Sequence, residues 1–240
     1  MGSFQDITSI DDFVFPAYVA QPEVVPVAAV VVLQEIFGVN AHIKAIADNF
    51  AKHGYLAVAP STFHRVKANV NLGYTPADVD KGKELKAAAE AMQAQVMMDV
   101  QAAIDFADNL MDEERSAQVS KRGKVGIVGY CWGGLLTWRA ACTLNGLSAA
   151  VPYYGAGMTV GTELTRQPQC PVLVHFGDQD ASIPMDTVRA FAAAQPAVNV
   201  QIYPANHGFN CDHRGVYNPS AAQLALKRTL DFFTTNLVAF

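Results

Sequence analysis

Cys131 lies at the centre of Gly129-Tyr130-Cys131-Trp132-Gly133, between a strand signal and a helix signal. Upstream, Lys124-Val125-Gly126-Ile127-Val128 is β-branched and uncharged after its lysine; downstream, residues 135–144 carry Ala, Leu and Trp in a helical pattern. A strand that turns abruptly into a helix forces its central residue into a strained backbone, and glycines two positions either side let the turn close. The central side chain then stands above the sheet edge, over the N–H groups that open the helix. A thiol held there can ionise and attack an electrophile. A free cysteine is more often a small buried hydrophobe, so the nucleophile reading depends on the flanking elements and on partners downstream.

A thiol near pH 7 is mostly protonated and needs a base or an electropositive setting. His207, in Asn206-His207-Gly208-Phe209, follows a strand and Pro204, where a loop can carry an imidazole over the C-terminal sheet edge. His42, His53, His64, His175 and His213 lack that placement. The base needs a carboxylate to orient it, and Gly177-Asp178-Gln179-Asp180 offers two after the strand ending at Phe176. Asp180 is the choice and Asp178 is read as a turn residue bonded to its own backbone, though it stays a candidate. Nucleophile, acid, histidine is the chain order of the α/β-hydrolases. Glu35 follows the first strong strand and either points into the cleft or is a surface-paired residue. The backbone N–H groups of Ile36 and Trp132 are candidates for an oxyanion hole.

Strand and helix signals alternate along the chain, which predicts an α/β fold: a mostly parallel, doubly wound sheet with helices on both faces. Strands are expected over 24–33, 55–59, 124–128, 149–153, 171–176 and 198–203. Helices are expected over 41–53 (Asn40 as N-cap, Gly54 as stop), 84–110, 135–144, 185–194 and 220–236. Residues 1–240 read as one domain, and the least regular stretch, 63–82, is the candidate for a small cap over the site.

Composition narrows the function. At 51% hydrophobic and 16% charged residues, the 240-residue chain can bury a large core. Its net charge of −5, with no Lys/Arg run, argues against nucleic acid as a partner. The apolar run at 24–33 is short and broken by Pro26, so no membrane span is expected, and a cytoplasmic location follows from the N-terminal pattern. Cys131, Cys142, Cys170 and Cys211 are read as free thiols. His and Cys are too scattered along the chain to suggest a metal site, and without a GxGxxG or Walker loop no cofactor is expected.

Gln34-Glu35-Ile36-Phe37-Gly38, Gly54-Tyr55-Leu56-Ala57-Val58-Ala59-Pro60, Gly129-Tyr130-Cys131-Trp132-Gly133-Gly134, Asp180 and Asn206-His207-Gly208-Phe209 together resemble the dienelactone hydrolases (carboxymethylenebutenolidases) over essentially the whole chain. The resemblance implies an α/β-hydrolase fold with Cys131 as nucleophile, His207 as base and Asp180 as its orienter. It implies that Glu35 pairs with the resting thiol and helps ionise it when substrate arrives. One departure stands out. Family members acting on dienelactone carry an arginine four residues after the histidine, where this chain has Cys211. A second arginine, expected in the cap, is also unmatched; Lys81 and Lys83 are the nearest cations there, and Arg214 lies close to Cys211.

The expected activity is therefore hydrolysis of small lactones or esters through a thioester acyl-enzyme, by a monomer or weak homo-oligomer. One alternative is a promiscuous short-chain carboxylesterase with neutral substrates. Another, of a different class, is a redox-sensing thiol protein in which Cys131 is oxidised reversibly. A binding protein with a degenerate site is a weaker rival, since no catalytic position is replaced.

Overall fold

Six consecutive apolar residues, Ala28–Leu33, form β3, and every one of them is buried. A strand apolar on both faces must be covered on both. In the computed structural model, which describes residues 2–114 and 124–238, β3 lies inside an eight-stranded sheet. The other strands are β1 (Ser3–Thr8), β2 (Val14–Ala20), β4 (Tyr55–Pro60), β5 (Val125–Tyr130), β6 (Leu147–Tyr153), β7 (Leu173–Gly177) and β8 (Asn199–Tyr203). Their order is β1-β2-β4-β3-β5-β6-β7-β8, parallel from β4 onward, with β1 and β2 antiparallel at one edge.

The helices are α1 (Ala41–Lys52), α2 (Pro76–Ala91), α3 (Gln93–Glu114), α4 (Trp132–Thr143), α5 (Met185–Ala194) and α6 (Pro219–Phe233). α1 and α3 both pack on β3 and β4, from opposite faces. Phe50 of α1 meets Phe233 of α6 on one side; Trp138 of α4 meets Phe191 of α5 on the other. The doubly wound α/β sandwich expected from the alternation is the architecture found. No described helix is long and apolar enough to cross a membrane.

Three expectations change. The strand expected over 24–33 begins only at Ala28, because Pro26 has no N–H to give a ladder and Val24, Val25 and Val27 face solvent. The β1–β2 hairpin lies outside the expected strands altogether; Pro16 inside β2 suppresses the strand signal, yet Asp6 pairs opposite it. The single helix expected over 84–110 is two helices meeting at Met92. The first starts eight residues earlier than expected, at Pro76, behind a capping box: Asp78 N–H donates to Thr75 Oγ1 (3.2 Å) and Thr75 N–H to Asp78 Oδ2 (3.0 Å). Nearly half of the segment 63–82 is thereby either helix or helix cap.

That segment is anchored at its start by Arg65. Its guanidinium donates to Asp99 of α3 (2.8 and 2.7 Å) and to Asp11 in the β1–β2 turn (2.8 and 2.7 Å). Asp99 is almost fully buried, and burial pushes its carboxyl up even with Arg65 beside it. Removing Arg65 leaves that acid unpaired, and protonation then limits the cost. Arg65→Met is expected to lower unfolding stability by about 3 kcal/mol, read as a lower urea midpoint at unchanged m; a shift within about 0.5 kcal/mol contradicts the role.

Candidate active site

Cys131 sits where β5 ends and α4 begins, with φ 56° and ψ −115°. That left-handed backbone costs an L-residue on the order of 1–3 kcal/mol, and the surroundings dictate it. A Cβ on Gly129 would overlap the Gly133 carbonyl and Thr137 Oγ1; one on Gly133 would overlap the Gln34 carbonyl. Only glycine at both positions lets strand and helix fold back this tightly against the loop after β3. Cys131 N–H donates to the Tyr153 carbonyl (3.1 Å), tying the turn to β6. The next residue, Trp132, is held by stacking on Phe63 (centroids 4.7 Å apart) and by a 2.6 Å hydrogen bond from Nε1 to Glu90. Glu90 is in turn bound by Arg139 of α4.

His207 arrives on the loop after β8. Gly177, at the end of β7, permits this: a Cβ there would collide with the Ala205 carbonyl. The same β7 exit carries Asp180, whose Oδ2 lies 2.7 Å from His207 Nδ1 and whose Oδ1 accepts from Ser182 N–H (2.7 Å). Asp180 is buried while Asp178 is exposed, its N–H bonded to the Tyr203 carbonyl. Asp180 is thus the carboxylate in contact with the ring. Cys131 is the other group close enough to act on the ring. Burial acts to strip the imidazole of its proton, but Cys131 and the Asp180 contact outweigh it and raise His207 to about 10. Three residues from distant parts of the chain, Cys131, His207 and Asp180, thus lie in one neighbourhood. Beside them, Tyr154 has φ 36° and packs its ring edge-on to His207 (5.2 Å).

Glu35 is almost wholly buried. Tyr74 Oη donates to its Oε2 (3.3 Å), and Arg214 Nη1 lies 3.7 Å from Oε1. Ile36 is pressed against α2, since a Cβ on Gly82 would lie 2.5 Å from its carbonyl oxygen. Lys81 and Lys83, either side of Gly82, face solvent and pair with Glu84 (2.6 Å) and Asp80 (3.8 Å).

Arg214 is different. Its guanidinium lies so close to Gly208 that a Cβ there would overlap it, and it sits over the rings of Phe37 (6.0 Å) and Tyr74 (5.9 Å). Two tight turns, Cys211 N–H to the Gly208 carbonyl (3.0 Å) and Arg214 N–H to the Cys211 carbonyl (3.1 Å), bring it back beside Gly208. From the sequence, Arg214 stands out only as a neighbour of Cys211, and Tyr74 and Tyr154 not at all. The two tyrosines carry no motif, and only three-dimensional proximity selects them. His175, by contrast, is a core residue, clamped between Tyr203 (2.8 Å) and Thr229 (3.0 Å), and burial depresses it to about 3.

The expectation that His and Cys are too scattered to hold a metal misses one convergence: Glu35, His42 and Cys211, far apart in the chain, offer ligand atoms within 4.8 Å of one another.

Comparison with known proteins identifies the family and the fold. The model of the dienelactone hydrolase family matches residues 15–237. A Synechocystis protein assigned as a carboxymethylenebutenolidase is 35% identical over 234 residues, covering 92% of this chain and 91% of its own length. The carboxymethylenebutenolidase of Pseudomonas putida is 32% identical over 231 residues, covering 94% and 93%. A crystal structure from Klebsiella pneumoniae assigned as a dienelactone hydrolase superposes with a TM-score of 0.81 at 32% identity, over 98% of each chain. The chain belongs to the dienelactone hydrolase family.

Proposed function

We propose that this protein hydrolyses small lactones or esters through a thioester on Cys131. The observation that carries the reading is the 2.7 Å His207–Asp180 hydrogen bond beside Cys131, which itself sits on a strained strand-to-helix turn. His207 holds the proton that leaves Cys131, so the sulfur attacks the acyl carbon as a thiolate favoured by the start of α4. The N–H groups of Ile36 and Trp132 receive the developing oxyanion. The close packing of Gly82 on Ile36 supports that role, because it fixes the loop carrying one donor. His207 protonates the departing alkoxide or enolate, then takes a proton from water as that water cleaves the thioester. Asp180 keeps Nδ1 protonated throughout. Glu35, beside Tyr74 and Arg214, is a second base that can take the thiol proton and pass it to His207 when substrate displaces its partners. Segment 63–82 serves as the cap.

The preferred substrate carries a carboxylate. Arg214, turned back over Gly208, supplies the cation that the family places at the Cys211 position. One charge-assisted hydrogen bond contributes about 1.5–3 kcal/mol, or roughly ten- to a hundredfold in kcat/KM. Arg214→Leu is therefore expected to lower kcat/KM for an anionic lactone by that factor, while a neutral aryl acetate changes less than about twofold. Equal losses on both substrates would contradict the assignment. A parent enzyme that favours neutral esters instead selects the promiscuous carboxylesterase reading.

A further inference from the structure

Glu35 follows β3, His42 opens α1 and Cys211 lies in the loop after β8. One donor atom from each lies within 4.8 Å of the others, and their exposures are 1%, 3% and 0%. His42 Nε2 and Glu35 Oε1 are both buried and neither makes a hydrogen bond. Buried polar atoms almost always have a partner; Glu35 Oε1 has only the 3.7 Å ion pair with Arg214 and His42 Nε2 has none, which leaves both able to bind an electrophile beside the thiol. We propose that Glu35, His42 and Cys211 bind a zinc-like divalent cation next to the catalytic thiol.

The donor chemistry selects the ion. Thiolate, imidazole and carboxylate suit zinc or cobalt and are too soft a set for magnesium or calcium. His42 is already oriented for ligation, because Asp212 Oδ1 lies 3.4 Å from its Nδ1 and leaves Nε2 as the ring nitrogen with a lone pair to give. Donors in a tetrahedral zinc site stand roughly 3.3–3.8 Å apart, so the three must close by little more than about 1 Å. Arg214, whose Nη1 is 3.7 Å from Glu35 Oε1, has to swing aside, and its partly exposed side chain permits that. A surface cavity of about 230 Å³ reaches His42 and Asp212, the outer side of the cluster. On binding, the Cys211 thiol gives its proton to solvent as the metal–sulfur bond forms. If Glu35 and Arg214 act as proposed above, occupancy also inhibits hydrolysis reversibly; the binding itself needs no such role.

The test is cobalt titration of the chelator-treated protein, followed by thiolate-to-cobalt absorption in the near ultraviolet. The parent is expected to develop the band at one equivalent and to lose it to added zinc. Cys211→Ser and His42→Gln should each bind at least about tenfold more weakly, while Cys131→Ser keeps the band. Near-ultraviolet circular dichroism of the metal-free Cys211→Ser and His42→Gln proteins verifies their folding, so either variant alone decides the matter. No band in the parent, a band surviving in Cys211→Ser, or one lost in Cys131→Ser overturns the proposal. The readout requires no turnover, so it stands or falls separately from the hydrolase reading.

Discussion

Cys131→Ala is expected to reduce kcat on an activated aryl ester by about 10,000- to 1,000,000-fold, the range seen when a nucleophile acting in concert with its base is removed. The size follows from position rather than from thiol chemistry alone. Cys131 is held at φ 56° between two glycines that admit no side chain, at the first turn of α4 and in contact with His207. No neighbouring group can take over. Cys211 is a buried thiol pushed up to about 11 by burial and the Glu35 charge, which makes it a poor nucleophile at neutral pH. The alanine keeps the same backbone and removes only a partly exposed sulfur, so the variant should fold as the parent does. An inactive but folded protein is the expected outcome, and residual activity above about one per cent contradicts the assignment.

Asp180→Asn is expected to cost about 100- to 10,000-fold in kcat. The two oxygens of Asp180 have different jobs: Oδ1 accepts from Ser182 N–H and Oδ2 faces His207 Nδ1. An asparagine must keep its carbonyl oxygen toward Ser182, which turns its NH2 group toward the ring. Nδ1 then has to accept rather than donate, and the ring proton moves to Nε2, the nitrogen needed to take a proton from sulfur. The pairing that helps raise His207 to about 10 is lost as well. NMR of the ring nitrogens should report the tautomer change in the variant. A loss in kcat below about tenfold, with Nδ1 still protonated, would mean that Asp180 only positions the loop.

Much of this architecture is legible in the chain because local and global signals agree. The apolar run ending at Leu33, the Asn40 cap with the Gly54 stop, and the strand–glycine–cysteine–glycine–helix pattern each leave a short-range mark. The β1–β2 hairpin leaves a contrary one, since Pro16 within β2 reads as a strand breaker although its neighbours pair on both sides. The capping box at Thr75 is present in the sequence but lies in a stretch dominated by glycine and polar residues, so the helix is expected too late.

At the site, Cys131, His207 and Asp180 announce themselves through their position after strands. Arg214 does not. Its approach to Gly208 depends on two successive tight turns, which no residue pattern at 211–214 encodes in an obvious way. The convergence of His42 and Cys211 on Glu35 is likewise a product of strand order. β3 stands near the centre of the sheet, and the loop after β8 must cross back over it to bring those groups together.

The most direct measurement is the intact mass of the protein, acid-quenched while it turns over a slow aryl ester, followed by peptide mapping. One acyl group on Cys131, absent from the Cys131→Ala protein and released by hydroxylamine, is the predicted result. Product formation with no adduct, or with the acyl group on another residue, would contradict the mechanism.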